Sequence, residues 1–216
     1  NEGKKYIDFI SGISVSNIGH SNPLIIKAIK KQAEKHLHLM VYGEYIQAPQ
    51  VEYASLLTKN LPENLESVYF VNSGSEANEG AIKLAKRYTG RSEIVSFKNA
   101  YHGSTQALLG LMDNTYYTQA FRPLMPDIRI LEFNNFEDLE QISERTACVI
   151  VEPVQGEAGI MLPEKDFLKQ LRKKCDQKGA LLIFDEIQTG FGRTGHLFAF
   201  QKYDVIPDIL TIRSEE

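Results

Sequence analysis

The chain contains 216 residues, of which 43% are hydrophobic and 24% are charged, a composition typical of soluble globular proteins. Its 24 basic and 28 acidic side chains give a formal net charge of −4, so no basic surplus favours a nucleic-acid partner. Two cysteines are too few for a disulfide framework, and their apolar surroundings predict buried thiols and a cytoplasmic location. No segment approaches the roughly 20 apolar residues of a membrane span, and no signal-like run follows the N-terminus.

The N-terminal quarter is predicted to be helical. Apolar residues recur at a four-residue spacing after Pro23, and a second amphipathic run follows Pro49; proline suits the first turn of a helix. The segment Tyr6–Ile10 has the composition of a short strand. We expect residues 1–45 to form an N-terminal segment and residues 46–216 to form a larger domain that is incomplete at its C-terminus.

From residue 67 onward, short apolar runs alternate with amphipathic segments, which is the pattern of a β/α fold. The runs are nearly continuous in apolar residues, as expected for strands that are buried on both faces. The predicted strands are Ser67–Val71, Ile94–Phe97, Ile128–Leu131, Ala147–Val151 and Leu181–Phe184. Helices are predicted over Glu76–Tyr88 and Phe167–Gln177, so the predicted fold class is α/β with a mostly parallel, doubly wound sheet.

Polar residues follow four of the five predicted strands, and in open α/β sheets ligands bind beyond the carboxyl ends of the strands. After the first strand, Ser73 and Glu76 stand at capping-box spacing around Gly74, so free N–H groups and a positive helix end suit a phosphate there. An ordinary capped helix start explains the same residues equally well. The small residues on both sides of Gly74 favour the anion.

Asp185 and Glu186 come directly after an apolar run, where a carboxylate needs a cation or hydrogen-bond donors. No His or Cys lies at ligand spacing, so a metal is not predicted, and a protonated heterocyclic nitrogen is a better partner for one buried carboxylate. Tyr101 and His102 follow another strand, where an aromatic ring either packs or stacks on a flat ligand.

The glycine-rich segment Gly190–Gly195 (GFGRTG) formally matches the dinucleotide-binding fingerprint. However, five residues separate it from the preceding strand, and no amphipathic helix begins behind it. A NAD site is therefore not favoured, and we expect this loop, with Arg193, to shape a subunit surface or an active-site wall.

A phosphate cradle, a stacking ring and a carboxylate for a ring nitrogen are together what pyridoxal phosphate (PLP) requires. Four ordered motifs of the chain resemble the signatures of class III aminotransferases, the fold type I PLP enzymes that include acetylornithine and ornithine aminotransferases. The motifs are Asn72–Glu79 (NSGSEANE), Tyr101–Gly103 (YHG), Glu152–Glu157 (EPVQGE) and Asp185–Gly190 (DEIQTG). The resemblance covers nearly the whole chain and implies that residues 46–216 belong to a PLP-binding large domain.

The resemblance also implies roles for individual residues. The implied cofactor-binding residues are Ser73, Gly74, Ser75, Tyr101, His102, Glu152, Asp185 and Gln188, and the implied substrate-contacting residues are Tyr42 and Glu157. Gly74 and Ser75 would hold the phosphate, and Tyr101 would stack on the pyridine ring. Asp185, the predicted catalytic residue, would pair with the ring nitrogen, and Gln188 would bind the phenolic oxygen of the ring.

The chain departs from the family pattern at one decisive position. Family members follow the segment Pro207–Thr211 (PDILT) with a short step and then the lysine that forms the Schiff base, and here Ser214 stands at its expected place. Serine cannot form an imine, so we expect this chain to be inactive alone. The polar ending Arg213–Glu216 leads us to expect a frameshift, a misjoin or a truncated gene model, with the rest of the fold missing.

The leading functional hypothesis is that the parent protein transfers an amino group from an ω-amine such as N-acetylornithine or ornithine to 2-oxoglutarate, as a homodimer in arginine biosynthesis. One alternative is a catalytically inactive binding or interaction module. Another is a different class III activity, 4-aminobutyrate aminotransferase or glutamate-1-semialdehyde aminomutase. The expected partners are a small-molecule amino donor and a 2-oxo acid, with no nucleic acid and no membrane.

Overall fold

The computed structural model describes residues 3–37 and 45–213. The chain divides into two compact units, the first lying within residues 1–68 and the second being Tyr69–Arg213. The domain boundary expected after residue 45 stays a prediction.

The described residues of the first unit, 3–37 and 45–68, form three helices, α1 (Ser11–Ser14), α2 (Pro23–Lys35) and α3 (Ala48–Thr58). The two helices predicted after prolines are confirmed as α2 and α3. Helix α2 begins where the Asn22 side chain accepts a hydrogen bond from the Leu24 N–H at 3.0 Å. An N-cap side chain of this kind and a proline in the first turn together favour the start of a helix.

The strand suggested for residues 6–10 is not formed. The Asp8 carboxylate accepts hydrogen bonds from the N–H groups of Ile10 and Ser11, both at 2.9 Å, which closes the backbone into a local turn. A side chain that binds nearby main-chain groups competes with strand pairing, and the apolar residues of this segment do not reveal that competition.

The second unit is built on a parallel sheet of five strands in the order β2-β1-β3-β4-β5. The strands are β1 (Glu93–Phe97), β2 (Ile128–Leu131), β3 (Thr146–Val151), β4 (Leu181–Asp185) and β5 (Ile209–Thr211). Every residue of β1 and β3 is buried, as their apolar sequences predict. The predicted α/β class with a mostly parallel sheet is confirmed.

The strand predicted over residues 67–71 is wrong. This segment forms no strand, and its aromatic residues face solvent, Tyr69 with 82% of its surface exposed and Phe70 with 40%. An apolar run forms a strand only where a neighbouring strand accepts its hydrogen bonds. The fifth strand is instead β5, whose three residues are too few to give a sequence signal.

Helices cover both faces of the sheet. The helices of this unit are α4 (Gly74–Thr89), α5 (Thr115–Thr118), α6 (Phe167–Lys178) and α7 (Ala199–Tyr203), and three short 3₁₀ turns lie between β1 and β3. Ala81, Ile82 and Ala85 of α4 form one buried cluster with Ile94 and Ile183 from the sheet. On the opposite face, Phe167 of α6 packs edge-on against Phe97, with ring centroids 5.8 Å apart. The sheet is therefore doubly wound.

The strand order contains a switch point. From β1 the chain moves to one side to form β2, then returns to form β3 on the other side of β1 and continues in that direction through β4 and β5. The connections that leave the carboxyl ends of β1 and β3 therefore diverge. In open parallel sheets, a crevice at such a point is the usual ligand site.

Candidate functional site

Asp185, the last residue of β4, is buried at 4% exposure and both of its carboxylate oxygens accept hydrogen bonds. Its Oδ2 accepts from Asn78 Nδ2 at 2.7 Å and lies 2.8 Å from His102 Nδ1. Its Oδ1 accepts from the Ile187 N–H at 3.1 Å. A carboxylate only accepts hydrogen bonds, so Nδ1 carries the proton in the His102 contact. Asp185 is thus held by donors from three different segments.

Asn78 is the residue that sequence reasoning missed. Its Nδ2 donates both to Asp185 and to the His102 carbonyl oxygen, the latter at 2.8 Å, while its Oδ1 accepts from Thr211 Oγ1 at 2.7 Å. Asn78 therefore links α4, the β1 exit, β4 and β5. The sequence contains a signal for it, because Asn78 shares the face of α4 with the apolar Ala81 and Ala85 at three- and seven-residue spacing.

A second buried carboxylate joins the loops on both sides of the switch point. Glu152 follows β3 and is 5% exposed. Its Oε1 accepts from the Tyr101 N–H at 2.9 Å, and its Oε2 accepts from the Gly156 N–H at 3.1 Å. The side chain of Tyr101 is 48% exposed, so its main chain is fixed while its ring faces outward.

Two carboxyl groups of this region hold a proton more tightly than usual. Burial raises the pKa of Glu152 to about 7, against attraction from His102 and with repulsion from Asp185. Burial likewise raises the pKa of Glu186 to about 7, against the hydrogen bonds it accepts from the N–H groups of Ala199 and Phe200 at 2.6 and 2.8 Å. Glu186 therefore caps α7, which explains the second acid of the Asp-Glu pair.

The start of α4 has the Ser73 cap expected from its sequence, but Glu76 returns to the N–H before the N-cap and not to that of Ser73 itself. Ser73 Oγ accepts from the Glu76 N–H at 3.1 Å, and Glu76 reaches back to the Asn72 N–H at 2.6 Å. The N–H groups of the first helical residues, Gly74 and Ser75, precede the first intrahelical donor and point along the helix axis. Free N–H groups at the N-terminus of a helix can bind an anion such as a phosphate.

Glycines allow close approach around this helix start. A Cβ on Gly74 would lie 2.6 Å from the Ile187 side chain, and a Cβ on Gly103 would overlap Ser75 Oγ. Gly103 also has a φ of +124°, which other residues adopt only with strain. Ser75 Oγ accepts from the Ser104 N–H at 3.3 Å. The β1 exit is therefore packed directly onto the first turn of α4.

Gln188 lies beside the loop that follows β3. A Cβ on Gly156 would occupy the position of the Gln188 amide, and Gln188 Nε2 lies 3.5 Å from Glu157 Oε1. The structure thus brings the predicted residues Gln188 and Glu157 together. The other predicted substrate residue, Tyr42, lies outside the described residues, as does Ser214.

The glycine-rich loop 190–195 forms turns rather than the strand-to-helix connection of a dinucleotide site. Arg193 Nη1 donates to the Gln188 carbonyl oxygen at 2.8 Å, which ties this loop to the segment after β4. Within residues 3–37 and 45–213, no three His, Cys, Asp or Glu side chains are grouped so as to hold a metal ion. No helix in that part of the chain is long and apolar enough to cross a membrane.

A doubly wound parallel sheet with polar clusters at the ends of β1, β3 and β4 defines an α/β ligand-binding protein, and comparison with known proteins identifies its family. Residues 1–213 match the family model described as aminotransferase class-III. The chain belongs to the class III aminotransferase family.

Individual relatives agree with this assignment. The chain is 46% identical over 218 aligned residues to an acetylornithine aminotransferase of Methanocaldococcus jannaschii, covering 98% of this chain and 54% of that protein. It is 45% identical to a succinylornithine transaminase of Citrobacter koseri, covering 97% of this chain and 52% of that protein. The chain thus spans about half the length of the curated relatives it matches.

A solved relative shows the same architecture. The ornithine aminotransferase of Toxoplasma gondii, whose crystal structure is described as having partial PLP occupancy at the active site, superposes with a TM-score of 0.84 at 30% identity. The match covers 96% of this chain and 50% of that one. The expected likeness to part of a fold type I transaminase is confirmed.

Proposed function

We propose that the second unit binds PLP and forms part of an aminotransferase that moves an amino group from an ω-amine, such as N-acetylornithine or ornithine, to 2-oxoglutarate. The observation that carries this proposal is the buried Asp185 carboxylate, held by Asn78, His102 and Ile187 beside the switch point of the sheet. A buried, oriented carboxylate next to an exposed aromatic ring suits a flat, protonated heterocycle.

The residues present fit this cofactor. A carboxylate has about four acceptor positions, and the described contacts of Asp185 use two on Oδ2 and one on Oδ1, which leaves one on Oδ1 for a ring N–H. The first N–H groups of α4 provide a phosphate site, and the lack of a Cβ at Gly74 and Gly103 lets the Ile187 side chain and Ser75 Oγ pack closely at this helix start. Both features lie within the second unit.

Each side chain then has a specific task. Asp185 keeps the proton on the ring nitrogen, which lets PLP act as an electron sink for charge that develops on the bound amino acid. Gly74 and Ser75 would bind the phosphate, and the exposed Tyr101 ring would stack on the heterocycle. Gln188 would donate a hydrogen bond to the phenolic oxygen, and Glu157, 3.5 Å from the Gln188 amide, is the residue assigned to the substrate.

A substrate with an amine at the end of a short side chain is supported by the relatives, two of which are named for acylated ornithines and one for ornithine itself. The acyl group differs between these names. The amino donor is therefore proposed as an ornithine-type ω-amine and not as one particular derivative.

The second candidate is a PLP-binding module without transaminase activity. It is favoured by Ser214, which stands where the family resemblance places the Schiff-base lysine. Such a module would bind PLP through Asp185 and the α4 N-terminus without a covalent bond, because serine forms no imine.

The first test measures PLP binding to the full chain, using the ³¹P signal of the cofactor and equilibrium dialysis. We expect saturable binding that Asp185→Asn weakens at least tenfold, since the amide has a single acceptor oxygen and carries no charge. Asp127→Asn is the matched control, because Asp127 is an exposed aspartate at the opposite end of the sheet, before β2. Equal binding by wild type and Asp185→Asn rejects the assigned site.

The second test separates the two candidates. The protein that the source coding region encodes through and beyond the Ser214 codon is loaded with PLP, treated with borohydride and mapped by mass spectrometry. It is also assayed with N-acetylornithine, ornithine and N-succinylornithine in the presence of 2-oxoglutarate. Cofactor fixed to one lysine, together with turnover of any of these amines, supports the aminotransferase. Binding without a fixed lysine and without turnover supports the module.

A further inference from the structure

Glu152 has contacts unlike those of a residue that binds a ligand directly. Both of its carboxylate oxygens are used by main-chain N–H groups, Tyr101 at 2.9 Å and Gly156 at 3.1 Å, and the side chain is almost completely buried. One of these groups belongs to the loop after β1 and the other to the loop after β3. A single carboxylate therefore fixes the main chain on both sides of the switch point.

The two fixed loops carry the groups that the proposed cofactor would contact. Tyr101 places an exposed ring at the β1 exit, so the N–H that Glu152 holds belongs to the same residue as the stacking ring. Gly156 lies so close to Gln188 that a Cβ would coincide with the Gln188 amide. A shift of the Gly156 main chain would therefore move Gln188.

We propose that Glu152 is a positioning residue: by accepting hydrogen bonds from Tyr101 and Gly156 it sets both the stacking ring and the Gln188 amide for the cofactor. This role rests on the PLP binding proposed above. It explains why a carboxylate occupies this position, because only the ionised carboxyl has two oxygens that both accept; an amide or a protonated carboxyl turns one of them into a donor.

The arrangement makes cofactor binding depend on pH. Burial raises the pKa of Glu152 to about 7, and repulsion from Asp185 acts in the same direction. Together they outweigh His102 and the two main-chain hydrogen bonds, which favour the ionised form. Below that pH the protonated carboxyl loses one acceptor and one of the two loops is released. Above it, both loops are held.

Amide hydrogen exchange on the cofactor-free full chain tests the hydrogen bonds themselves. We expect Glu152→Gln to lower the protection of the Tyr101 or Gly156 amide about tenfold at pH 8, after correction for intrinsic exchange rates. Glu186→Gln is the matched control, since Glu186 is also buried with a pKa raised to about 7 and also accepts two main-chain N–H groups. It should expose the amide of Ala199 or Phe200 and leave those of Tyr101 and Gly156 unchanged.

PLP affinity between pH 6 and pH 8 tests the consequence for the cofactor. Ionisation of Glu152 should make wild type bind PLP about tenfold more tightly at pH 8 than at pH 6. We expect Glu186→Gln to keep this pH step in affinity and Glu152→Gln to lose it. Ionisation of the cofactor phosphate affects all three proteins equally and cancels in the comparison. A purely structural role for Glu152 would lower thermal stability but leave the pH step in place.

The outcomes separate the two proposals. Absence of PLP binding in wild type refutes the proposed function, whatever the exchange data show. Binding by wild type, with the same affinity and pH profile in Glu152→Gln, refutes only the positioning role. Loss of the pH step together with selective loss of amide protection at Tyr101 or Gly156 supports it.

Discussion

Replacement of Asn78 by alanine is the sharpest perturbation the structure offers. The Asn78 side chain is 1% exposed and makes three hydrogen bonds, to Asp185, to the His102 carbonyl oxygen and from Thr211. Alanine removes all three and fits the helix well. The variant therefore removes the polar link between four elements while α4 itself is retained.

The size of the effect follows from these contacts. A hydrogen bond to a charged group contributes about 1.5–3 kcal/mol to stability and a neutral one about 1 kcal/mol, and buried partners that lose their bond add to the loss. The sum for Asn78→Ala is about 4–5 kcal/mol. The better helix propensity of alanine returns about 0.5 kcal/mol, so the unfolding free energy should fall by about 4 kcal/mol.

Urea unfolding, combined with a double-mutant cycle, measures this loss. Thr211→Val removes one neutral hydrogen bond and leaves Asn78 Oδ1 unpaired, so it should cost about 1–2 kcal/mol alone. In the double variant, Thr211→Val should cost about 1 kcal/mol less than it costs alone, because Asn78→Ala has already removed the hydrogen bond between the two side chains. A cost below about 1 kcal/mol for Asn78→Ala, or full additivity of the pair, would show that the network does not carry the stability assigned to it.

Three further predictions concern other groups. Because the pKa of Glu186 is raised to about 7 in the folded protein, its contribution to stability is full below about pH 4.5 and is lost as the pH rises through about 7. Relative to Glu186→Gln, wild type should lose about 3 kcal/mol of unfolding free energy between pH 4.5 and 8. A difference in unfolding free energy between the two proteins that stays constant with pH would contradict this. Gly103→Ala, with strained φ and overlap with Ser75 Oγ, should cost about 2–3 kcal/mol in thermal unfolding and shift the ³¹P signal of bound PLP, and a neutral result would rule out the close packing. Burial raises the pKa of Cys148 and Cys175 to about 12, so neither thiol should react with Ellman's reagent at pH 8 until the protein is unfolded; rapid labelling of the folded chain would be the opposite result.

The buried elements of the sheet could be predicted from the sequence because burial on both faces leaves a continuous apolar run. The strand Ile128–Leu131 was predicted with the bounds it has, and β1, β3 and β4 extend the predicted strands by one residue at one end. The added residues, such as Glu93 and Asp185, are polar and belong to a strand because their main chains pair with the neighbouring strand, Glu93 with Thr146 and Asp185 with Thr211. Hydropathy does not report such contacts.

The errors have the same cause. The segment after Ser67 is as apolar as a true strand, and β5 is only three residues long, so pairing partners rather than composition decide which of them joins the sheet. The site residues were predicted from motif resemblance and strand exits, whereas Asn78 was missed because its role depends on Thr211, 133 positions away in the chain.

The described contacts of Asp185 all come from residues 69–213, within the second unit. Its partners lie on α4, on the β1 exit and in the turn after β4, and Thr211 supports Asn78 from β5. The carboxylate is therefore oriented by one unit before any ligand arrives. An acid oriented in this way favours a protonated ring without reorganisation of the protein. Glu157, the residue proposed for the amino donor, is not among the described partners of Asp185, so the proposed recognition of the cofactor ring can be varied without changing Glu157.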